Sequence, residues 1–367
     1  MTVADRVHEF VTRFVVLTEE QADAVTLWVI HSWAFGAAAT TPFLVVLSAV
    51  WRSGKSRLLE ALECLVKEPM LEVDPTPAVL FRSIEAREPT LLLDEVDALF
   101  GSDGERTEPL RAMLNAGNRR GGSVARCVPP NWDVKEFSVF CAKCLAGLDN
   151  GRWPDTLLDR SIVLRLRRRA QSELVGRFYR AEAEQESAPI REELSAWAEA
   201  RLEGLAMARP ELPEDDLSDR ACDAWEPLFA IADDLGGDWP GRARRAAIEL
   251  HRRQEMMEDS PSVILLRDIR AIFEEAGEDR LRSSDVCARL RAMHDSRWAS
   301  WGGGGSAGLR EGGLARLLRP FEIAPRTIRL NSAPVQGSTA KGYLRSDFED
   351  AWGRYLGDVG DADEQVV

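Results

Sequence analysis

Apolar positions change their period several times along the chain, and each change marks a segment. Residues 1–40 follow a helical pattern. Within them "TEEQADAVTLWVIHSWAF" opens with Thr18 and carries Gln21 three residues later, the reciprocal arrangement that caps a helix N-terminus. From 41 to 170 short β-branched or Leu-rich runs ("FLVVLSAV", "TLLLDEV", "FSVFCA", "SIVLRL") alternate with helical patterns such as "SRLLEALECLV" and "EPLRAMLNAG". That alternation predicts an α/β core with a mostly parallel sheet and crossover helices. Residues 171–258 read as entirely helical, broken near "ARPELPEDDLSD". From 259 to 358, three helical runs precede two strand-like runs, "RTIRLN" and "KGYLR", and a final helix, "SDFEDAWGRYL". Helices followed by a β-hairpin predict a winged-helix-like domain. The acidic tail 359–367 is expected to be disordered.

Composition narrows the classes. No apolar run reaches the roughly 20 residues of a membrane span; "DAVTLWVIHSWAFGAAA" comes nearest but is short and carries His31, so it reads as a buried helix. A net charge of −14 argues against a protein that coats nucleic acid, although a local basic channel remains compatible with it. The six cysteines are scattered and follow no secretory signal, which points to a reduced cytoplasm. Cys141-Ala-Lys-Cys144 is an isolated pair, without the second pair or nearby histidines a zinc site needs, and reads as two small residues at a strand end. Lysine stands at only five positions (55, 67, 135, 143, 341), and arginine supplies the other 42 of 47 basic residues. In so arginine-rich a chain, Lys55 and Lys143 draw notice as retained ammonium groups.

The first of these lies in "FLVVLSAVWRSGKSRLLEALE": a strand, a loop with Ser53, Gly54, Lys55, Ser56 and Arg57, then a helix. Backbone N–H groups at such a helix start cradle phosphates, Lys55 neutralises them, and the Ser56 hydroxyl holds Mg²⁺. The usual first glycine of this loop is replaced by Ala49, which can turn with negative φ; only Gly54 has a strong reason to lack a side chain. "EPTLLLDEVDALFG" supplies the acidic partner strand, expected beside the loop's strand, with Asp94 toward the metal and Glu95 activating water; Asp97 extends the cluster. "FSVFCAKCLAGLDN" reads as a third core strand with a polar sensor at its end, Lys143 first and Asn150 second. Arg160, just before "SIVLRL", reads either as an arginine finger reaching a neighbouring subunit or as the partner of Asp155 or Asp159.

These pieces resemble AAA+ P-loop ATPases. With "TLWVIHSWAF", "RSGKSRLLEALE", "LRAMLNAGNRRGGSVARC", "PDTLLDRSIVLRLRRR", "ACDAWEPLFAIADDLGGDWPGRAR" and "KGYLRSDFEDAWGRYL", the chain is similar, over about residues 20–358, to an uncharacterised family of phage- and mobile-element-associated ATPases. Genes for that family often lie beside, or fused to, primase-polymerase modules, and its loop likewise lacks the first glycine. The resemblance implies a helical lid over 171–258 whose Arg220, in Ser218-Asp219-Arg220, contacts nucleotide in its own subunit; Ser218 as a helix cap explains the triplet equally well. It also implies a pore hairpin at "NAGNRRGGSVARCVPP". There Arg119, Arg120 and Arg126 would contact a DNA backbone, act across a subunit interface, or form a solvated turn. Arg326, Arg329 and Lys341 mark a phosphate-contacting surface on the winged-helix-like domain.

The expectation is an ATP- and Mg²⁺-dependent motor that forms a homo-oligomeric ring, a hexamer, and remodels or unwinds DNA in mobile-element replication. The alternative is a nucleotide-switched regulator or defence ATPase that oligomerises, with a partner protein, without unwinding DNA.

Overall fold

The structure, a computed structural model, describes residues 2–73, 75–97, 107–128, 131–149, 153–170, 172–257, 261–293, 296–299, 301, 308–329 and 339–356. The expected disordered tail, the glycine-rich loop at 302–307 and Asn150 lie outside the described residues. The chain divides into two compact units, Met1–Gln254 and Glu255–Val367.

In the first unit, helices Val3–Phe14 and Glu19–Ala34 each begin with a threonine cap. The hydroxyls of Thr2 and Thr18 accept the N–H of Asp5 and Gln21, whose side chains accept the threonine N–H in return. Among the described residues seven strands follow: β1 (Phe43–Ser48), β2 (Pro69–Glu72), β3 (Thr90–Leu93), β4 (Ser123–Val128), β5 (Asp133–Ser138), β6 (Lys143–Leu148) and β7 (Ser161–Arg165). Five of them form one sheet in the order β2-β3-β6-β1-β7, every pairing parallel, while β4 and β5 make a separate antiparallel hairpin.

β1 shows why a fully apolar run becomes the central strand. Leu44 and Val46 pack into a core shared with the two N-terminal helices and helix Lys55–Glu63, while Phe43, Val45 and Leu47 enter a second core under helices Pro77–Arg87 and Thr107–Ala116. Successive side chains of a strand point to opposite faces, so a strand buried on both faces needs apolar residues throughout. All five are fully buried, and each contributes about 1.5–3 kcal/mol of transfer free energy.

Two expectations change. The acidic strand β3 does not lie beside β1, because β6 is inserted between them. "FSVFCAKCLAGL" is not one strand: Phe137 and Ser138 close the hairpin, and the core strand restarts at Lys143. The helices expected over 171–258 join the first unit's core. Arg180–Met207, Asp219–Leu235 and Trp239–Met257 pack apolar residues such as Leu194, Phe229 and Ala246 into the same core as β1.

The second unit packs helices Pro261–Ala276, Ser283–Ala292, Glu311–Leu318 and Glu349–Tyr355 with a three-stranded antiparallel sheet, β8 (Arg280–Arg282), β10 (Thr339–Leu344) and β9 (Arg326–Arg329), in that spatial order. Only β9 and β10 were expected; the three-residue β8 is too short for periodicity to reveal. Trp298 is buried, donating Nε1–H to Asp268, with Trp301 against it, so both tryptophans are packing residues. Among the described residues no helix is long and apolar enough to cross a membrane.

His31 is fully buried in the first unit with Nε2 2.8 Å from the Thr41 hydroxyl, and burial pushes its pKa down to about 3. The unfolded chain takes up a proton near pH 6.5 that the folded chain refuses, so this contribution is present above pH 6.5 and lost as pH falls toward 3. Stability of the wild type should fall with acidification across that window by up to about 1.4 kcal/mol per pH unit from this group. Denaturant unfolding at stepped pH checks it, and His31→Gln should flatten the slope.

Candidate nucleotide site at the carboxyl edge of the sheet

Because the five strands run parallel, their C-terminal ends share one edge, and a crevice at such an edge is where open α/β sheets bind ligands. The loop after β1, the acidic segment after β3 and the end of β6 meet there around a cavity of about 490 Å³. Trp51 to Arg57 line one wall, Asp94, Glu95 and Asp97 another, and Gly147 and Leu148 the third.

The loop geometry accounts for its sequence. Gly54 has φ 93°, a left-handed conformation that costs glycine nothing, and begins helix Lys55–Glu63. Ala49 is not among the left-handed residues; Arg52 is, at φ 63°. Ser53 is buried and donates its hydroxyl to the Val50 carbonyl at 2.9 Å. Lys55 Nζ donates to Ser48 Oγ at 2.6 Å, and Ser48 donates onward to the Val50 carbonyl. Burial lowers the Lys55 pKa, while Asp94 and Asp97 oppose that shift. Arg57 lines the cavity but is drawn to Glu60 and lies over the Phe178 ring.

Ser56 Oγ donates to Asp94 Oδ2 at 2.8 Å, so the hydroxyl and the carboxylate expected to share a metal stand together. The other Asp94 oxygen accepts the Glu95 N–H, and Glu95, exposed, holds a left-handed φ of 55°. Asp97 accepts the Leu148 N–H at 2.9 Å, tying the acidic segment to the end of β6. Among the described residues no group of three His, Cys, Asp or Glu side chains surrounds a metal position. One hydroxyl and one carboxylate suit Mg²⁺, which takes few protein ligands and completes its shell with phosphate oxygens and water. Ser48 and the Asp97–Leu148 bond went unforeseen; a polar residue ending a wholly buried strand was the available signal for Ser48.

Other candidates lie elsewhere. Lys143 is the first residue of β6, at the opposite edge, about 15 Å of strand away from the cavity. It is fully buried, donating Nζ to the carbonyls of Gly117, Val139 and Cys141, and cannot act as the sensor. Arg160 precedes β7 at that same edge, where its carbonyl accepts the Phe43 N–H. Arg220 joins it there, ion-paired to Asp159, while Ser218 Oγ caps the helix by accepting the Ala221 N–H. Arg220 therefore does not reach the loop of its own chain, and the expected same-subunit contact is corrected. Arg119 stands at this edge, bridged to Thr40 through the backbone.

Arg120 closes the end of the N-terminal helices, donating to the Gly36 and Ala38 carbonyls with its guanidinium over Phe140. Arg126 and Lys135 sit in the hairpin, the first over the Phe81 ring and the second paired with Glu85. In the second unit Arg326 pairs with Asp347 at 2.5 Å, while Arg329 and Lys341 are exposed on β9 and β10.

A curated relative, an uncharacterised 28.9 kDa protein in the xis 5′ region of Saccharopolyspora erythraea, is 34% identical over 195 residues, covering 53% of this chain and 70% of that protein. Among solved structures, the A form apo structure of the NrS-1 C-terminal region is 10% identical with a TM-score of 0.46, covering 93% of this chain and 75% of that one. The apo structure of NrS-1 C-terminal region 305–718 gives 10% and 0.44 over the same shares. A family model matches residues 165–355, and the chain belongs to that family, described as a protein of unknown function (DUF3631).

Proposed function

We propose that the protein is an ATP-hydrolysing P-loop motor of the AAA+ kind, working as a homo-oligomeric ring on DNA, with the second unit as a winged-helix-like domain. The observation that carries the nucleotide reading is the Ser56–Asp94 hydrogen bond beside Lys55 at the mouth of a parallel sheet. A lysine and a helix N-terminus favour the phosphates, and the two oxygens favour the metal. Mg²⁺ held by Ser56 and Asp94 would supply charge neutralisation on the phosphate oxygens. Lys55, freed from Ser48, pairs with phosphate. Glu95 faces the cavity to orient water and accept its proton.

Placement supports the ring. Arg160 stands at the far edge of the sheet, so any contact it makes with a nucleotide phosphate is with one held by another copy. A second reading, a nucleotide-switched regulator or defence ATPase that assembles without unwinding DNA, is favoured by the engagement of Arg120, Arg126 and Arg326 within the chain. Fewer free guanidiniums leave fewer phosphate contacts for DNA.

Steady-state ATPase assays with and without single- or double-stranded DNA separate these readings. A motor is stimulated by DNA; unstimulated hydrolysis with ATP-dependent assembly and no DNA binding sinks it. Glu95→Gln should keep ATP binding and lower kcat by about 100-fold or more, and Lys55→Ala should abolish binding of a fluorescent ATP analogue. Arg52→Gly, which relieves a left-handed conformation, should raise stability by up to about 1 kcal/mol and retain ATP binding while changing the protein concentration at which copies assemble. Calorimetric melting and sedimentation check both arms.

A further inference from the structure

Small side chains leave a second cavity, of about 350 Å³, where the N-terminal helices meet the helices that follow the sheet. The turn after helix Glu19–Ala34 lines it with Ala37 to Ala39, the end of helix Arg180–Met207 with Leu205, and helix Asp219–Leu235 with Pro227, Ala230 and Ile231. The space lies at the small end of the roughly 300–1,000 Å³ in which pockets take small-molecule ligands, so it suits a compact one. It shares no residue with the cavity at the carboxyl edge, and its chemistry is independent of the nucleotide reading.

Bonds on the outer side hold the alanine turn off this space. Pro227 has no N–H to offer the Asp223 carbonyl one turn back, and the Thr40 hydroxyl donates there instead at 3.1 Å, tying the turn to the helix. Arg120 N–H donates to the Ala39 carbonyl at 2.9 Å, and its guanidinium donates through Nε and Nη2 to the carbonyls of Gly36 and Ala38.

Charge enters the apolar lining at Arg120, Arg209 and Glu226. His31 lines it too, but burial keeps that imidazole neutral. Nη1 of Arg120 takes no part in the bonds to the turn. Exposed Arg209 donates to the carbonyl of its neighbour Ala208 at 2.6 Å. Glu226 is half-buried and, among the described residues, has no ion pair or hydrogen bond. A carboxylate drawn partly out of water gains from a cation, and guanidiniums gain from an anion. Here both signs line one cavity without pairing to each other. A simple anion would leave Glu226 against its apolar body, and a simple amine would leave the guanidiniums unmatched. A ligand carrying both charges satisfies all three.

We propose that this cavity binds a small zwitterion with an apolar side chain, an α-amino acid of the leucine or phenylalanine class. Its carboxylate pairs with Arg120 and Arg209, its ammonium group pairs with Glu226, and its side chain lies against Leu205, Pro227, Ala230 and Ile231.

Isothermal titration calorimetry of the dialysed protein with L-leucine, L-methionine and L-phenylalanine tests it. At least one should bind at a single site. The same molecule without its amine or without its carboxylate (for leucine, 4-methylpentanoate and 3-methylbutylamine) should bind about 10- to 100-fold more weakly, the worth of one charge-assisted hydrogen bond. Glu226→Gln and Arg209→Ala should each weaken binding by about 10-fold or more, and Ala230→Leu, which fills the space, should abolish it. Arg209 is exposed, so its variant keeps the test standing if Ala230→Leu does not fold. No binding of any of the three amino acids at millimolar concentration overturns the inference. Equal binding of the analogue lacking the amine overturns it as well, and so does undiminished binding by both Glu226→Gln and Arg209→Ala.

Discussion

Parallel pairing of all five strands in the large sheet sorts the chain's polar groups onto two opposite edges. A parallel ladder forces each connection to return along a helix, so every strand ends at the same edge and begins at the other. The loop after β1 and the acidic segment after β3 thereby come together although 38 residues separate Ser56 from Asp94. The same rule carries Arg160 and Lys143, which precede or begin their strands, to the far edge. No side-chain interaction could override this placement without reversing a strand buried on both faces.

That sorting explains what the sequence could and could not say. The strand, loop and helix around Lys55 were legible because backbone demands and residue types coincide there: an apolar run, a glycine at φ 93°, and a hydroxyl aimed at a carboxylate. Asp94-Glu95 was legible as the polar end of an apolar strand. The insertion of β6 between β1 and β3 was not, because strand order in a parallel sheet leaves no local trace. Lys143 misled for a related reason. The run "FSVFCAKCLAGL" hides a break between hairpin and core strand, and placing that break moves the lysine from a strand's end to its start. Once there, three carbonyls satisfy its ammonium group, a structural use that composition alone cannot separate from a chemical one.

Arginine abundance blurred the other candidates. With so many guanidiniums, most must be committed to packing and pairing, as Arg120 is to the ends of the N-terminal helices and Arg242 is to buried Asp23. The informative arginines are those held in place without being consumed. By that measure Arg160, held by a long 3.4 Å hydrogen bond to the Asn115 carbonyl, stands apart from the hairpin and from β9, where the guanidiniums of Arg126 and Arg326 already lie on an aromatic ring and a carboxylate.

Strain points to the same division of labour. Arg52 and Glu95 both line the cavity and both hold left-handed backbone, which costs a non-glycine residue about 1–2 kcal/mol. Such conformations persist where surrounding bonds over-determine them, and here the Ser48, Ser53 and Asp94 hydrogen bonds do so. Under the proposed reading the strain has a use. It sets Glu95 at the cavity wall before any nucleotide enters, while the groups that would sense the γ-phosphate wait on a different copy. A cavity preorganised on one edge and completed only from another copy's opposite edge would couple hydrolysis to assembly.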